Sequence, residues 1–303
     1  MNLNKVYLKR FILATFSING ILYINNNNNY CNYINNIIEN NFQKIKKHAT
    51  INMTLNNSLK CRNKEDLKDV KKTISCYEPL NPLKLEAKYK NLKIIKSNSF
   101  TTLLNIIRDK NIPTSEFRKY SKRLIRLLLE ESLCSYYTEN IIKESPCGYY
   151  VSSVSKYTDN DFIAVSILRS GDAILDELLN IMPDVNIGKI LVQRNENSNT
   201  KDAIYFFDKL PSDIKDKKVI LLDPMIATGG SAIASINILK SKGIKEQNIL
   251  FVNIVSCEEG IKNLFEKFPL INIISGVCDP ELLTIKYIAP GLGDFGDRYY
   301  GTH

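Results

Sequence analysis

Residues 219–231 read VILLDPMIATGGS, and this segment restricts the possible folds of the 303-residue chain most tightly. A short, wholly apolar run ends at Asp223, a turn containing Gly229 and Gly230 follows, and apolar residues then recur at helical spacing from Ile233 to Leu239. A run of that kind is a strand buried on both faces, which requires a layer of helices on each side. In an open α/β sheet, ligands bind beyond the carboxyl ends of the strands. The turn from Ala227 through Thr228, Gly229 and Gly230 to Ser231 can aim successive backbone N–H groups at an anion, aided by the positive end of the helix. The two glycines let the backbone approach a phosphate, Thr228 and Ser231 offer hydroxyl donors, and Asp223 can accept hydrogen bonds from sugar hydroxyls. Taken alone, the same residues also describe an ordinary strand-to-helix turn.

The rest of the chain fits that frame. Residues 162–168 form another buried-strand run, followed by Arg169, Ser170 and Gly171 and then a helical pattern at Ile174, Leu175, Leu178 and Leu179. Residues 187–194 and 204–207 are strand-like around a polar stretch, 195–202, which predicts an antiparallel arm. Residues 249–255 and 271–277 are further strands, separated by a helix ending near Phe268. Upstream, residues 102–133 predict two amphipathic helices broken at Pro113, with Thr114 or Ser115 capping the second. Arg118, Lys119, Lys122 and Arg123 fall on the solvent face of that helix. The predicted class is α/β, a mostly parallel sheet flanked by helices with an antiparallel arm.

Charge divides the chain. Residues 1–98 hold 17 basic and 6 acidic side chains, whereas residues 99–303 hold 24 and 26. The net charge of +9 therefore belongs to the N-terminal part, and a nucleic-acid interface, which needs basic residues clustered on the folded domain, is not expected. Residues 1–95 are Asn-rich, with five in a row at 25–29, and lack a sustained apolar period. They are expected to be a disordered, low-complexity leader, with the folded domain at 96–303. On this reading, deleting residues 1–90 leaves folding unchanged. The apolar stretch 11–24, after Lys5, Lys9 and Arg10, is too short for a comfortable membrane span. It leaves two readings, an untargeted extension of a cytoplasmic protein or an organelle-import leader. The seven cysteines are scattered without C-x-x-C spacing, and the two histidines are His48 and the last residue, His303. Neither a disulfide framework nor a dedicated metal site is indicated.

Four separated segments together carry a resemblance. SILRSG (166–171), VQRNE (192–196), DPMIATGGS (223–231) and YIAPGLGDFGDR (287–298) stand in the order and spacing of type I phosphoribosyltransferases. A single acid followed by proline, Asp223-Pro224, resembles the uracil phosphoribosyltransferases, and IGKILVQRNE and GLGDFGDRYYG are similar to their eukaryotic branch. The resemblance implies conversion of uracil and PRPP to UMP and pyrophosphate. It implies that Arg169, with Ser170 and Gly171, contacts the pyrophosphate of PRPP and that Arg194 reaches it from the arm. Asp223, Pro224, Met225, Ile226, Ala227, Thr228, Gly229, Gly230 and Ser231 would hold the ribose and 5-phosphate. Tyr287, Ile288, Gly293 and Phe295 would form the uracil pocket, with backbone groups reading the base edge, so that a side chain at Gly293 would fill the space of the base. Asp294 would stand near the reacting centre, touching both substrates and serving, with Arg169, in catalysis. Mg²⁺ would arrive bound mainly through PRPP, with no protein cage.

A homodimer or homotetramer contacting through the arm, and a purine-nucleotide effector, belong to the same implication. No membrane or nucleic-acid partner does. The sequence departs from the family pattern at Ser170, at the acid Asp172 and across 279–283, where DPELL replaces a glycine-containing stretch. A non-catalytic relative kept for regulation or binding is the alternative, against which Arg169, Arg194 and Asp223 are all present. Another base is opposed by the 287–298 loop. A fused uridine kinase is excluded because no G-x-x-x-x-G-K-[ST] loop occurs.

Overall fold

The computed structural model describes residues 77–194 and 203–302. All of its elements belong to one compact unit, Cys76–His303. The first is α1 (Pro82–Lys88), which begins with a proline at its first turn and with the Asn81 side chain accepting from Leu83 N at 3.0 Å. Strand β1 (Leu92–Ile94) follows, then α2 (Asn98–Arg108), whose N-terminus is capped by Ser97 Oγ accepting from Phe100 N. Helix α3 (Thr114–Leu133) begins directly after Pro113, which carries no side-chain cap. The expected cap by Thr114 or Ser115 is thus corrected: Pro113 itself, extended at ψ 147°, sets the start, and Thr114 is already helical.

The sheet contains β4 (Phe162–Leu168), β5 (Asn186–Arg194), β6 (Ala203–Lys209), β7 (Lys218–Leu222), β8 (Met225–Ile226), β9 (Ile249–Cys257) and β10 (Asn272–Asp279), with β1. Its order is β1-β10-β9-β7-β4-β5-β6, with β8 also pairing with β9. Every pairing is parallel except β5 with β6, the expected arm, which is antiparallel and irregular between Leu191 and Val192.

Successive residues of a strand point to opposite faces, so these apolar runs feed two cores. On one face Ala164, Ile220, Leu222 and Val252 pack against α2, α3 and α4 (Asp172–Leu179). On the other, Ile163, Val165, Val219, Leu221 and Phe251 pack against Leu85 of α1, α5 (Gly230–Ser241) and α6 (Glu258–Lys267). From β4 the chain crosses through α4 to β5; from β7 it crosses through α5 to β9, on the other face and toward the other edge. The crossovers diverge where β4 and β7 lie side by side, which makes their carboxyl ends the switch point of the sheet.

Two findings depart from the sequence expectation. The first is a hairpin, β2 (Glu139–Ser145) with β3 (Gly148–Val154), which forms a separate two-stranded sheet. Its residues Ile142, Tyr149 and Val151 are exposed, and its apolar residues do not alternate, so no strand period was legible. The second is the domain boundary. Residues 82–94 belong to the fold: β1 pairs with β10, Leu85, Leu92 and Ile94 are buried, and Tyr89 stacks on Phe265 at 5.3 Å. A cut at residue 90 or 95 therefore removes structural elements. The rest of the expected leader, 1–76, lies outside the described residues, as does the polar stretch 195–202. Among the described residues, no helix is long and apolar enough to cross a membrane.

Burying an aliphatic side chain contributes about 1.5–3 kcal/mol. A chain of residues 96–303 should therefore lose several kcal/mol relative to 77–303, read as a lower urea midpoint. Equal midpoints would show that α1 and β1 add nothing to the domain.

Candidate active site

At the switch point lies a cavity of about 570 Å³. Arg169 and Ser170 enter its wall from the end of β4, and Asp223, Met225, Ala227 and Ser231 from the end of β7. Tyr287, Ile288, Gly293, Asp294 and Phe295 come from a loop more than fifty residues later. The three sequence segments thus meet in one space. Val192 and Gln193, from the VQRNE segment on β5, join the wall together with Leu191 and Lys286, which the sequence reading did not single out. Lys286 carries the unusual φ of 65° for a non-glycine residue, in the turn between β11 (Glu281–Leu282) and β12 (Ile288–Ala289). Arg194 ends β5, paired with Ala203, and its side chain lies outside the description.

The remaining predicted residues shape the site from behind. Pro224 O accepts from Ile254 N at 2.9 Å and Val255 N at 3.0 Å, which pins the turn to β9. Ile226 is buried in the core. Gly229 caps α5 at φ 83°, a left-handed conformation that side chains rarely adopt. Thr228 Oγ1 accepts from Gly230 N at 3.4 Å, and Asn263 Nδ2 donates to Thr228 O at 3.0 Å. The first N–H groups of α5 have no acceptor within the helix, so this end is suited to an anion.

The loop after β4 is crowded. A Cβ on Gly171 would strike Leu222 O and lie 2.7 Å from both Ile167 O and Ser166 Oγ. The glycine is required here by close approach of β7. Asp172, the unexpected acid, is neutralised locally: its Oδ1 accepts from Lys189 Nζ at 2.6 Å and Ser166 Oγ at 2.7 Å. Arg169 bonds to Asp297 Oδ1 at 2.6 Å and Thr302 Oγ1 at 3.0 Å. The Tyr300 hydroxyl donates to Arg169 O at 3.3 Å. Burial, then the charges of Asp172 and Asp176, push the pKa of that phenol up and keep it a donor. The pyrophosphate arginine of the sequence reading is thus held by an acid of the C-terminal segment.

The loop at 287–295 is anchored by groups that the sequence reading did not identify. Arg108, the last residue of α2, donates to both oxygens of Asp279, from Nη2 to Oδ1 at 2.7 Å and from Nη1 to Oδ2 at 2.9 Å. Arg108 Nη1 also donates to Gly291 O at 2.8 Å, and Asp279 Oδ2 accepts from Gly291 N at 3.0 Å. Downstream, Glu281 and Leu282 pair with Ala289 and Ile288. The segment 279–283 therefore forms part of an ordered hairpin. Asp294 is exposed on the rim and caps α7 (Phe295–Tyr300), accepting from Asp297 N at 2.9 Å. Phe295 lines the cavity, and its ring packs on Phe117 and Tyr299. At Gly293, φ is 69° and a Cβ would meet only Arg298 Cδ at 3.7 Å. A side chain there would strain the backbone in addition to occupying the open space in front of it. Among the described residues, no group of three or more His, Cys, Asp or Glu side chains could hold a metal ion.

Overpacking of this kind costs about 1–3 kcal/mol, whereas glycine to alanine in a compatible helical site gains about 0.4–1 kcal/mol. Gly171→Ala should accordingly unfold at lower urea than the parent, and Gly230→Ala, whose Cβ would have only Thr228 Oγ1 at 3.6 Å, should not. Equal midpoints for the two variants would contradict the assigned crowding.

Residues 94–302 match the family model described as uracil phosphoribosyltransferase. Uracil phosphoribosyltransferase 1 of Schizosaccharomyces pombe is 41% identical over 211 residues, covering 68% of this chain and 93% of that protein. The uracil phosphoribosyltransferase of Saccharomyces cerevisiae is 40% identical over 213 residues, covering 70% of this chain and 97% of that protein. A solved structure from Aquifex aeolicus superposes with a TM-score of 0.59 at 28% identity, covering 69% of this chain and 97% of that one. With the 223–231 turn, the Arg169 loop and the C-terminal loop gathered at one switch point, this chain belongs to the uracil phosphoribosyltransferase family.

Proposed function

We propose that the chain transfers the phosphoribosyl group of PRPP to uracil, giving UMP and pyrophosphate for pyrimidine salvage. The observation that carries this is the single cavity joining Arg169, the 223–231 turn and the 287–295 loop. In this reading one cavity serves as the site of phosphate, ribose and base together.

In this reading the 5-phosphate sits at the α5 N-terminus, and Thr228 and Ser231 supply hydroxyls. Asp223 takes the ribose hydroxyls. Arg169 exchanges Asp297 and Thr302 for pyrophosphate oxygens, which its planar fork can grip in pairs. Arg194 reaches the same group from the arm. The bond from C1′ to pyrophosphate breaks as the bond from uracil N1 to C1′ forms, and charge accumulates on the departing oxygens, where Arg169 stabilises it. The N1 proton leaves to Asp294 or to water. Uracil presents an acceptor, a donor and an acceptor at O2, N3–H and O4. Backbone of Ile288, Gly293 and Phe295 complements that edge, with Tyr287 flanking the ring. Cytosine would leave a polar group unpaired and be rejected.

Mg²⁺ fits this site only as an ion carried in on PRPP, because the acids present, Asp223 and Asp294, do not make a cage. Its chemistry there would be neutralisation of phosphate charge. Assembly as a homodimer or homotetramer is supported by the exposed Ile204, Tyr205, Phe206 and Phe207 of the arm. A purine-nucleotide effector and a cytoplasmic setting rest on the family resemblance alone.

The purified chain should form UMP from uracil and PRPP with Mg²⁺, followed chromatographically, and should use cytosine and purines poorly. No UMP with all components present would overturn the reading in favour of a non-catalytic relative. Arg169→Ala should lower kcat about a hundredfold or more, since it removes a donor whose contact strengthens in the transition state. Asp223→Asn should chiefly raise KM for PRPP. A change confined to uracil KM in either variant would remove the proposed division of the site.

A further inference from the structure

Behind the base loop lies a second cavity, of about 450 Å³, lined by Arg108, Lys110 and Arg298 together with Gly291, Leu292 and Gly293. Gly293 belongs to the walls of both cavities, so the loop is a thin partition between them. Arg108, Asp279 and Arg298 are absent from the active-site wall. Any substrate in the first cavity meets the loop's front, while these three side chains hold its back.

The hold is specific to the peptide groups. Gly291 O and Gly291 N are both taken, by Arg108 and Asp279, and Leu292 O accepts from Arg298 Nη1 at 2.8 Å. In a trans peptide, C=O and N–H point in opposite directions. Fixing Leu292 O toward Arg298 therefore turns the Gly293 N–H away from the second cavity, on the side of the first. The anchor is rigid at its other end. Asp279 is 0% exposed and ends β10 in register with Cys257 of β9. Arg298 Nη2 also donates to Asp109 O at 2.7 Å, at the end of α2, and its guanidinium lies over the Phe117 ring at 4.3 Å. Sheet, α2 and loop are thus tied through two guanidinium groups.

We infer that Arg108, Asp279 and Arg298 are positioning residues that set affinity and selectivity for the base by fixing the Gly291 to Gly293 backbone from behind, out of contact with substrate. The inference rests on the uracil reading of the first cavity. Geometry of a polar reading edge must hold to a fraction of an ångström, and such precision comes from the groups supporting it. Asp279 needs both carboxylate oxygens: one accepts from Arg108 Nη2, the other from Arg108 Nη1 and Gly291 N. An asparagine amide would set a donor against donors. At Arg108, lysine keeps the charge but cannot span Asp279 and Gly291 O with a planar fork.

The test uses the full chain and steady-state rates with both substrates varied. In Arg108→Lys and Asp279→Asn, uracil KM should rise about tenfold to a hundredfold, the loss typical of a small misplacement. The preference for uracil over cytosine should fall. PRPP KM should stay within about twofold, because the phosphate turn and the β4 loop are held by other contacts. Added guanidinium ion, at concentrations that leave the parent folded, should lower uracil KM in Arg108→Ala. If Asp279→Asn does not fold, Arg298→Lys carries the same expectation. Unchanged uracil KM in the folded variants, or PRPP KM rising in parallel with it, would overturn the inference while an active parent keeps the function standing. A parent without UMP formation would overturn the function itself, and this inference with it.

Discussion

The parallel pairing of β4 with β7 is the contact on which the arrangement of the site depends. In register from Phe162 with Lys218 to Ser166 with Leu222, it sets the ends of two strands side by side. The chain leaves those ends on opposite faces of the sheet, and the space between the departing crossovers is the cavity. Strands this apolar gain nothing from facing water, so the helices covering them are obligatory. The open region is confined to the rim. Gly171 shows how tight the junction is, since even a methyl group would collide with the backbone of β7.

From that junction the site is assembled by short links. The β7 turn is pinned to β9 through Pro224 O, so the start of α5 is fixed relative to the sheet rather than left on a mobile loop. Arg169 is oriented by Asp297, Thr302 and Tyr300, and Asp297 lies in the helix that Asp294 caps. Arg169 and the 287–295 loop are therefore linked through one helix. Two hydrogen bonds, Arg169 to Asp297 and Asp297 N to Asp294, connect them. Charge is balanced pair by pair: Lys189 meets Asp172, and Arg108 meets Asp279. The low exposure of the Arg108–Asp279 pair makes each partner costly to leave unpaired.

The sequence by itself determined the α/β class, the succession of core strands along the chain from 162 onward, the antiparallel arm and the segments that meet in the cavity, but not the order of strands in the sheet. These features are encoded locally: apolar runs define buried strands, and Asp223, Gly229 and Gly230 lie within one turn. Tertiary structure alone decided the rest. Strand β1 is three residues long and carries no period of its own, and only its pairing with β10 reveals that residues 82–94 belong to the fold. The cap of α3 was misplaced because Pro113 fixes the entry without a side-chain bond. Arg108 ends a helix and Asp279 ends a strand 171 positions later, and neither position marks a site. Their partnership arises because the sheet brings distant ends together, which no local pattern of residues records.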